Sequence, residues 1–352
     1  MKLFVPGRLC LFGEHSDWAG AYRRVNPQLE PGYAIAVGTN RGIYAEVTTH
    51  PHLLKVKATN NTDCLELAMQ PEKLLEVALQ GGFFSYVAGV AYQAVTRYGV
   101  KGVAIDNYHT DLPVKKGLSS SAAICVLVAR AFNRLYQLNL SLSEEMELAY
   151  LGERTTPSQC GKLDLACAYG NQPILMFFDG DNLEVTRLKV PQELYLVIVD
   201  LGAAKNTQLI LSQLNQCYPS AKNSLQENVQ KYLGRINAAL VRQAVLAIQQ
   251  GDAAAIGKLM CQAQAEFDRH LIPACPTQLT APVLHQLLAH PPLLPYIYGG
   301  KGVGSQGDGT AQFIVKDRQC QERAIAIIKR DFPQMQCLKL TIGNSLKNLN
   351  KG

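Results

Sequence analysis

The chain has 352 residues, 47% of them hydrophobic and 18% charged, with a formal net charge of +6. That length suits two domains at roughly 150 residues each, and that composition can bury a sizeable core. No run of five or more like charges occurs, which argues against a nucleic-acid arm or a polybasic membrane anchor. None of the ten cysteines has C-x-x-C spacing, so neither a zinc site nor a thioredoxin-like motif is indicated. There is no leader pattern, and no apolar run approaches the roughly 18 residues that span a bilayer. The expectation is a cytoplasmic protein with reduced thiols.

In chain order, residues 2–12 predict a strand. Residues 33–49 predict two strands around a Thr-Asn-Arg-Gly turn. Helices are expected at 72–80 and 83–98, a strand at 102–110, and a helix from about 119 to 137. A further helix is expected at 143–155, with Ser143 as its cap and Glu144, Glu145 and Glu147 in its first turns. Residues 173–178 and 184–189 read as a hairpin, and 193–202 as a short buried strand. The pattern is then mostly helical to about 290, followed by strand, helix and strand at 310–315, 318–330 and 336–342. This order indicates α+β layers rather than repeated βαβ units. The expected domains are 1–192 and 193–352.

Two stretches carry chemistry. In "PVKKGLSSSAAICVLVARAFNRLY" (113–136) a glycine loop runs through three serines into an apolar helix. Free N–H groups at a helix N-terminus attract anions, and a first-turn serine can reach a metal ion that bridges phosphates. A serine-rich N-cap on an ordinary core helix is an equal reading of the same residues. Neither a Walker loop nor a dinucleotide fingerprint is present. In "PGRLCLFGEHSDWAG" (6–20) an apolar opening is followed by Glu14, His15 and Asp17, with Arg8 inside it. Carboxylates and imidazole can engage several hydroxyls at once, which suits polyol recognition. His109, His270, His285 and His290 are given no functional role.

The second of these stretches resembles the first motif of galactokinases. "GLSSSAA" is similar to the second motif of the GHMP kinase superfamily of galacto-, homoserine, mevalonate and phosphomevalonate kinases. "GGKGVGSQGDGTAQF" (299–313) resembles the third motif more loosely, and "FFSYVAGVAYQ" (83–93) resembles a galactokinase helix. The resemblance runs in order from residue 6 to 313. It implies the two-domain GHMP fold, with a ribosomal protein S5 domain 2-like N-terminal domain and a ferredoxin-like α+β C-terminal domain. It implies an ATP-dependent, Mg2+-dependent kinase that phosphorylates a hydroxyl of a sugar or polyol, with no nucleic-acid or membrane partner.

The same resemblance implies the roles. "CGKLD" places the catalytic aspartate at Asp164, with Arg8 beside it to stabilise charge on the transferring group. Ser121 and Glu153 would hold magnesium; Glu153 precedes Asp164 by 11 residues (164 − 153). Lys116, Gly117, Leu118, Ser119, Ser120, Ser121, Gly304 and Ser305 would bind ATP, and Glu14, His15 and Asp17 the acceptor.

Three departures from the pattern stand out. Lys115 and Lys116 replace glycines, where they suit phosphate contacts or are solvated loop residues. Gln306 and Asp308 interrupt the third loop, and Asp308 is expected to repel a triphosphate unless it faces away or meets magnesium or the acceptor. Trp18 and the Arg23–Arg24 pair suggest an acceptor other than galactose, such as an acidic sugar or another polyol. A mevalonate-type kinase, a sugar and ATP sensor on the same scaffold, and an ATP-dependent decarboxylase are the competing functions.

Overall fold

The computed structural model describes residues 1–59, 64–112, 118–158 and 160–343. The chain runs through β1 (Lys2–Phe12), α1 (Ser16–Ala21), β2 (Gly32–His50), β3 (Leu53–Lys57) and β4 (Cys64–Ala68). Next come α2 (Pro71–Gln80), α3 (Ser85–Tyr98), β5 (Gly102–Thr110), α4 (Ser120–Leu135), α5 (Leu142–Arg154) and a 3-10 turn, Lys162–Tyr169. The hairpin β6 (Ile174–Asp179) and β7 (Asn182–Arg187) leads to β8 (Leu194–Asp200). Six helices follow: α6 (Thr207–Asn215), α7 (Ser224–Lys231), α8 (Asn237–Gln250), α9 (Ala253–Leu271), α10 (Pro276–Leu279) and α11 (Pro282–Leu288). The last elements are β9 (Ile297–Gly302), β10 (Thr310–Val315), α12 (Arg318–Asp331) and β11 (Gln336–Ile342). No helix of the described residues is long and apolar enough to cross a membrane.

Contacts divide the chain into two compact units, Met1–Arg8 with Gly38–Asn171, and Leu9–Val37 with Gln172–Gly352. The chain changes unit inside β1, after Arg8, and inside β2, after Val37. The expected boundary at 192 is one cut along the chain, whereas these units interleave.

In the first unit β5 pairs antiparallel with β2 and parallel with β3, and β4 closes the edge antiparallel to β3. The expected turn within 33–49 does not form; β2 is continuous. Thr39 Oγ1 donates to the Arg41 carbonyl at 2.7 Å, and the Gly42 N–H donates to Asp111 Oδ1 at 2.7 Å. The Thr-Asn-Arg-Gly stretch therefore satisfies its polar groups without leaving the strand. Helix α4 is apolar nearly all round, and its residues from Ala122 to Asn133 are mostly buried, as a central core helix requires. Helix α5 starts earlier than expected. Ser141, not Ser143, is its cap, and it forms a capping box with Glu144.

Glycines let α3 and α5 approach closely. A Cβ on Gly89 would lie 2.2 Å from the Gly152 carbonyl oxygen, and one on Gly152 would lie 2.4 Å from Val90 Cγ2. The residue after Gly152 is Glu153, so this contact fixes where that carboxylate sits.

In the second unit β8, β9, β10 and β11 form an antiparallel sheet in the order β11-β8-β10-β9. With α12 between β10 and β11, and helices between β8 and β9, this is the ferredoxin-like arrangement with an enlarged first crossover. Strand β9 was not expected, because its glycine-rich sequence reads as a loop. Its partner β10 is wholly buried, and the buried Gln312 donates through Nε2 to the Cys10 carbonyl at 2.9 Å.

A buried ion pair ties the first unit's helices together. Arg130 Nε donates to Glu145 Oε2 at 2.9 Å, and its Nη2 donates to the Ala168 carbonyl at 2.7 Å. Asn133 Nδ2 donates to Glu145 Oε1 at 2.8 Å. Arg130→Met leaves Glu145 buried without a countercharge and is expected to cost about 3–5 kcal/mol. Urea unfolding measures this, and a loss below about 1 kcal/mol would show that solvent reaches the pair.

Candidate functional site

The first unit carries the expected transfer residues. The Arg8 N–H donates to the Leu118 carbonyl at 3.0 Å, which ties β1 to the start of α4. Arg8 Nη2 donates to Ser119 Oγ at 2.7 Å and pairs with Asp164 Oδ1. Ser119 Oγ in turn donates to the same Oδ1 at 2.8 Å. The hydroxyl therefore accepts from the cation and donates to the anion. Ser119 caps α4 with φ 53°, a left-handed conformation unusual for a residue with a Cβ. Asp164 lies in the Lys162–Tyr169 turn, which Arg130 holds through Ala168. Arg8 is 5% exposed and the Asp164 side chain 34%. The guanidinium is thus sealed in while the carboxylate stays partly open. Asp164 Oδ2 receives one long bond, from the Gly161 N–H at 3.4 Å.

Glu153 is buried at the end of α5. Its Oε1 accepts from Ser158 Oγ at 3.2 Å, and its Oε2 is buried without a partner. Burial raises its pKa to about 7, and the charge of Asp164 adds to the rise; hydrogen bonds from Ser121, Ser158 and Cys160 oppose it. A buried carboxylate oxygen with a free valence beside a serine hydroxyl suits magnesium. That ion binds through one or two carboxylates and completes its shell with water and phosphate. Among the described residues no group of three or more His, Cys, Asp or Glu is placed to hold a metal by itself. Ser120 opens α4 and is half-buried. Lys115, Lys116 and Gly117 lie outside the described residues. Tyr86, on α3, shares a side-chain hydrogen bond with Ser158, and burial raises its phenol pKa. Neither Tyr86 nor Ser158 was singled out: Tyr86 reaches this site from α3, and Ser158 follows Glu153 by five residues with no motif to mark it.

The second unit carries the expected recognition residues. Glu14 is buried and forms an ion pair with Lys301, whose Nζ also donates to the Gly302 carbonyl at 2.8 Å. His15 precedes α1 with φ 69°, and its Nδ1 accepts from Trp18 Nε1 at 3.1 Å. Its pKa is lowered to about 4, first by burial and then by Lys205, with Lys301 adding a little and the Ser305 backbone pulling the other way. The imidazole is therefore neutral at physiological pH, with its proton on Nε2, because Nδ1 is an acceptor. Asp17 lies in the first turn of α1. Gly304 and Ser305 lie in the turn after β9; Gly304 has φ 68°, and the Ser305 and Thr207 hydroxyls are 3.2 Å apart. Lys205 and Lys301 were missed by the sequence reading, because nothing in their spacing links either to Glu14 or His15.

Two of the departures find partners of their own. Asp308 Oδ1 accepts from the Leu284 N–H at 2.8 Å. Its charge thus meets the N-terminus of α11, where a carboxylate is favourable. Arg23 is not free for an acidic acceptor. It pairs with Asp179 at 2.5 Å, and its Nη1 donates to the Pro27 carbonyl at 2.9 Å and to the Leu29 carbonyl. Arg24 is largely exposed and lies 3.8 Å from Asp181. This arginine pair braces the loop after α1.

The ferredoxin-like unit, the serine at the N-terminus of core helix α4 and the paired Arg8–Asp164 fit the arrangement expected of a GHMP-type kinase. Residues 85–171 match the GHMP kinases N terminal domain. The galactokinase of Thermococcus kodakarensis is 26% identical over 297 residues, covering 78% of this chain and 80% of that one. The solved Lactococcus lactis galactokinase complexed with galactose superposes with a TM-score of 0.73 at 17% identity, over 97% of this chain and 93% of that one. The Methanococcus jannaschii mevalonate kinase superposes with a TM-score of 0.69 at 16% identity, over 98% of each chain. These likenesses support a GHMP-type kinase on the galactokinase-like side, a phosphotransferase with an alcohol group as acceptor.

Ser119 offers a direct test of the transfer geometry. Ser119→Ala and Ser119→Gly both remove the hydroxyl, and each is expected to lower kcat about 10- to 100-fold, the worth of a hydrogen bond to a charged group. The glycine variant relieves the left-handed backbone and should be the more stable by about 1 kcal/mol. Steady-state ADP release and thermal unfolding measure the two effects. Full kcat in both variants would show that the hydroxyl does not align Arg8 and Asp164.

Proposed function

We propose that the chain transfers the γ-phosphoryl group of ATP, with magnesium, to a hydroxyl of a small sugar or polyol. The observation that carries this reading is the Arg8–Ser119–Asp164 cluster in the same unit as Glu153, with its one unpartnered oxygen. Phosphoryl transfer needs alignment and charge neutralisation more than covalent chemistry. In this reading Ser121 and Glu153 hold magnesium, which neutralises charge on the β and γ phosphates. Leu118, Ser119, Ser120 and Ser121 lie at or before the first turn of α4, where free N–H groups favour phosphate. Lys116, Gly117, Gly304 and Ser305 are further ATP contacts by family resemblance.

Asp164 Oδ1 is occupied by Arg8 and Ser119. Its Oδ2 is therefore the oxygen that accepts the acceptor's hydroxyl proton or orients that hydroxyl. Arg8 stabilises negative charge as it develops on the transferring group. Glu14, His15 and Asp17 recognise the other hydroxyls. The neutral His15 accepts from Trp18 through Nδ1 and so donates through Nε2. The sequence likeness to the Thermococcus kodakarensis galactokinase favours a sugar over mevalonate, because the mevalonate kinase likeness is one of fold.

Asp164→Asn is expected to lower kcat by about 10²- to 10⁴-fold with little change in nucleotide affinity. ADP release over a panel of sugars, uronic acids, polyols and mevalonate tests the reading itself. Acceptors that bind without any product would replace the kinase with a sensor. A second expectation concerns pH. The folded pKa of Glu153, about 7, lies above its ordinary value of 4.5. The stability it contributes is fully present below 4.5 and is lost as pH rises through about 7. Magnesium needs the ionised carboxylate, so magnesium affinity should fall by up to about tenfold per pH unit below 7. Magnesium titrations of the nucleotide complex at pH 6 and 8 measure it. Equal affinity at both would remove Glu153 from the metal site.

A further inference from the structure

The loop between β9 and β10 lost the glycine pattern of its family motif, yet one of its glycines makes room for a side chain. A Cβ on Gly309 would lie 2.6 Å from both Cε and Nζ of Lys205, and one on Gly307 would lie 3.7 Å from Lys205 Cβ. Lys205 Nζ donates to the Gln306 carbonyl at 3.1 Å. Among the described residues no carboxylate lies within ion-pair distance of it. Lys301 differs in this respect, since Glu14 supplies its countercharge. Burial lowers the Lys205 pKa to about 8, so the ammonium is still charged at neutral pH.

The neighbourhood also holds polar atoms short of partners. Gln306 Oε1 is buried without a hydrogen bond; the buried His15 Nε2 lacks a well-formed one, with the Ser305 backbone beside it. Lys205 and His15 are close enough for the ammonium to lower the imidazole's pKa. The Thr207 and Ser305 hydroxyls pair with each other nearby in sequence. Lys205 is half-buried, and a partly desolvated cation without a countercharge is still costly. A ligand that brings a negative charge would offset that cost, and a neutral hexose does not.

We propose that Lys205, given room by Gly309, binds an oxyanion, carboxylate or phosphoryl, carried by one of the reactants. The proposal rests on the kinase reading above. Two sources supply that chemistry, an acidic group on the acceptor and the terminal phosphoryl of the nucleotide.

The full chain, with Lys205→Met, Lys205→Arg and Gly309→Ala, is titrated with two pairs of probes. Galacturonate against galactose tests the acceptor; magnesium AMP-PNP against magnesium ADP tests the terminal phosphoryl. The protein's one tryptophan, Trp18, donates to His15, so its fluorescence reports binding independently of turnover. The expected result is a preference of about tenfold or more for the more highly charged member of one pair. Lys205→Met and Gly309→Ala abolish that preference, and Lys205→Arg keeps most of it. The pair affected identifies the source. Ratios in both pairs that stay within about twofold of the parent in Lys205→Met overturn the proposal, as does a parent with no preference in either pair. ADP release followed in parallel separates this failure from failure of the kinase reading. Turnover with unchanged ratios removes Lys205 alone, whereas a Lys205-dependent preference without turnover removes the kinase.

Discussion

A guanidinium taken out of water has to meet a fixed negative charge, and at Arg8 that requirement organises the first unit's site. Its backbone is bonded to Leu118 and its side chain to Ser119 and Asp164. Asp164 must therefore be held still, and the turn that carries it is anchored by Arg130 through the Ala168 carbonyl. Arg130 is itself buried and needs Glu145, whose other oxygen is satisfied by Asn133. Each polar group in this series is tolerable because the next one satisfies it. The series ends at a carboxylate with one oxygen occupied and the other available.

Glu153 shows the complementary case. It is buried among the same helices but lacks a cation, so its charged form is disfavoured and its pKa rises. Two carboxylates in one unit thus face opposite environments, one paired with a guanidinium and one waiting for a cation. Environments that separate two acids in this way are how one site divides aligning from metal-holding. The glycine contact between α3 and α5 makes the difference possible, because it sinks Glu153 where water does not reach.

Much of the fold was legible because periodicity is a local signal. Strand β5 is expected and found at the same residues, 102–110, and β10 at 310–315. The misses have physical causes. The interruption expected in β2 depends on whether Thr39 and Gly42 find partners, and one of those partners, Asp111, is 69 residues away from Gly42. Strand β9 is glycine-rich because it packs against α9, where a Cβ on Gly299 would lie 2.1 Å from the Gly257 carbonyl oxygen. The site residues recognised by motif are present where the described residues include them. Lys205, Lys301 and Tyr86 were illegible, since each matters through a neighbour distant in sequence or across a helix contact. Arg23 was hard to read for the same reason: charge is visible in a sequence, whereas its partner Asp179 is not.

Backbone strain gives an independent view of these positions. His15, Ser119 and Gln306 are all left-handed, at φ 69°, 53° and 65°. Glycine would adopt that conformation freely, whereas a residue with a Cβ incurs about 1–2 kcal/mol. Each carries a group that glycine lacks. The His15 imidazole accepts from Trp18, and the Ser119 hydroxyl joins Arg8 to Asp164. The Gln306 amide donates to the Gly302 carbonyl at 3.3 Å while its own backbone carbonyl holds Lys205. Gln137, Asn139 and Ala281 are left-handed as well, so the conformation alone does not mark a site; strain on side chains that bridge charged or buried partners fits a site arranged before a ligand arrives. By that criterion Gln306, which interrupts the glycines of the third loop, belongs with His15 and Ser119, and the departure from the family pattern is where this chain fixes its own lysine.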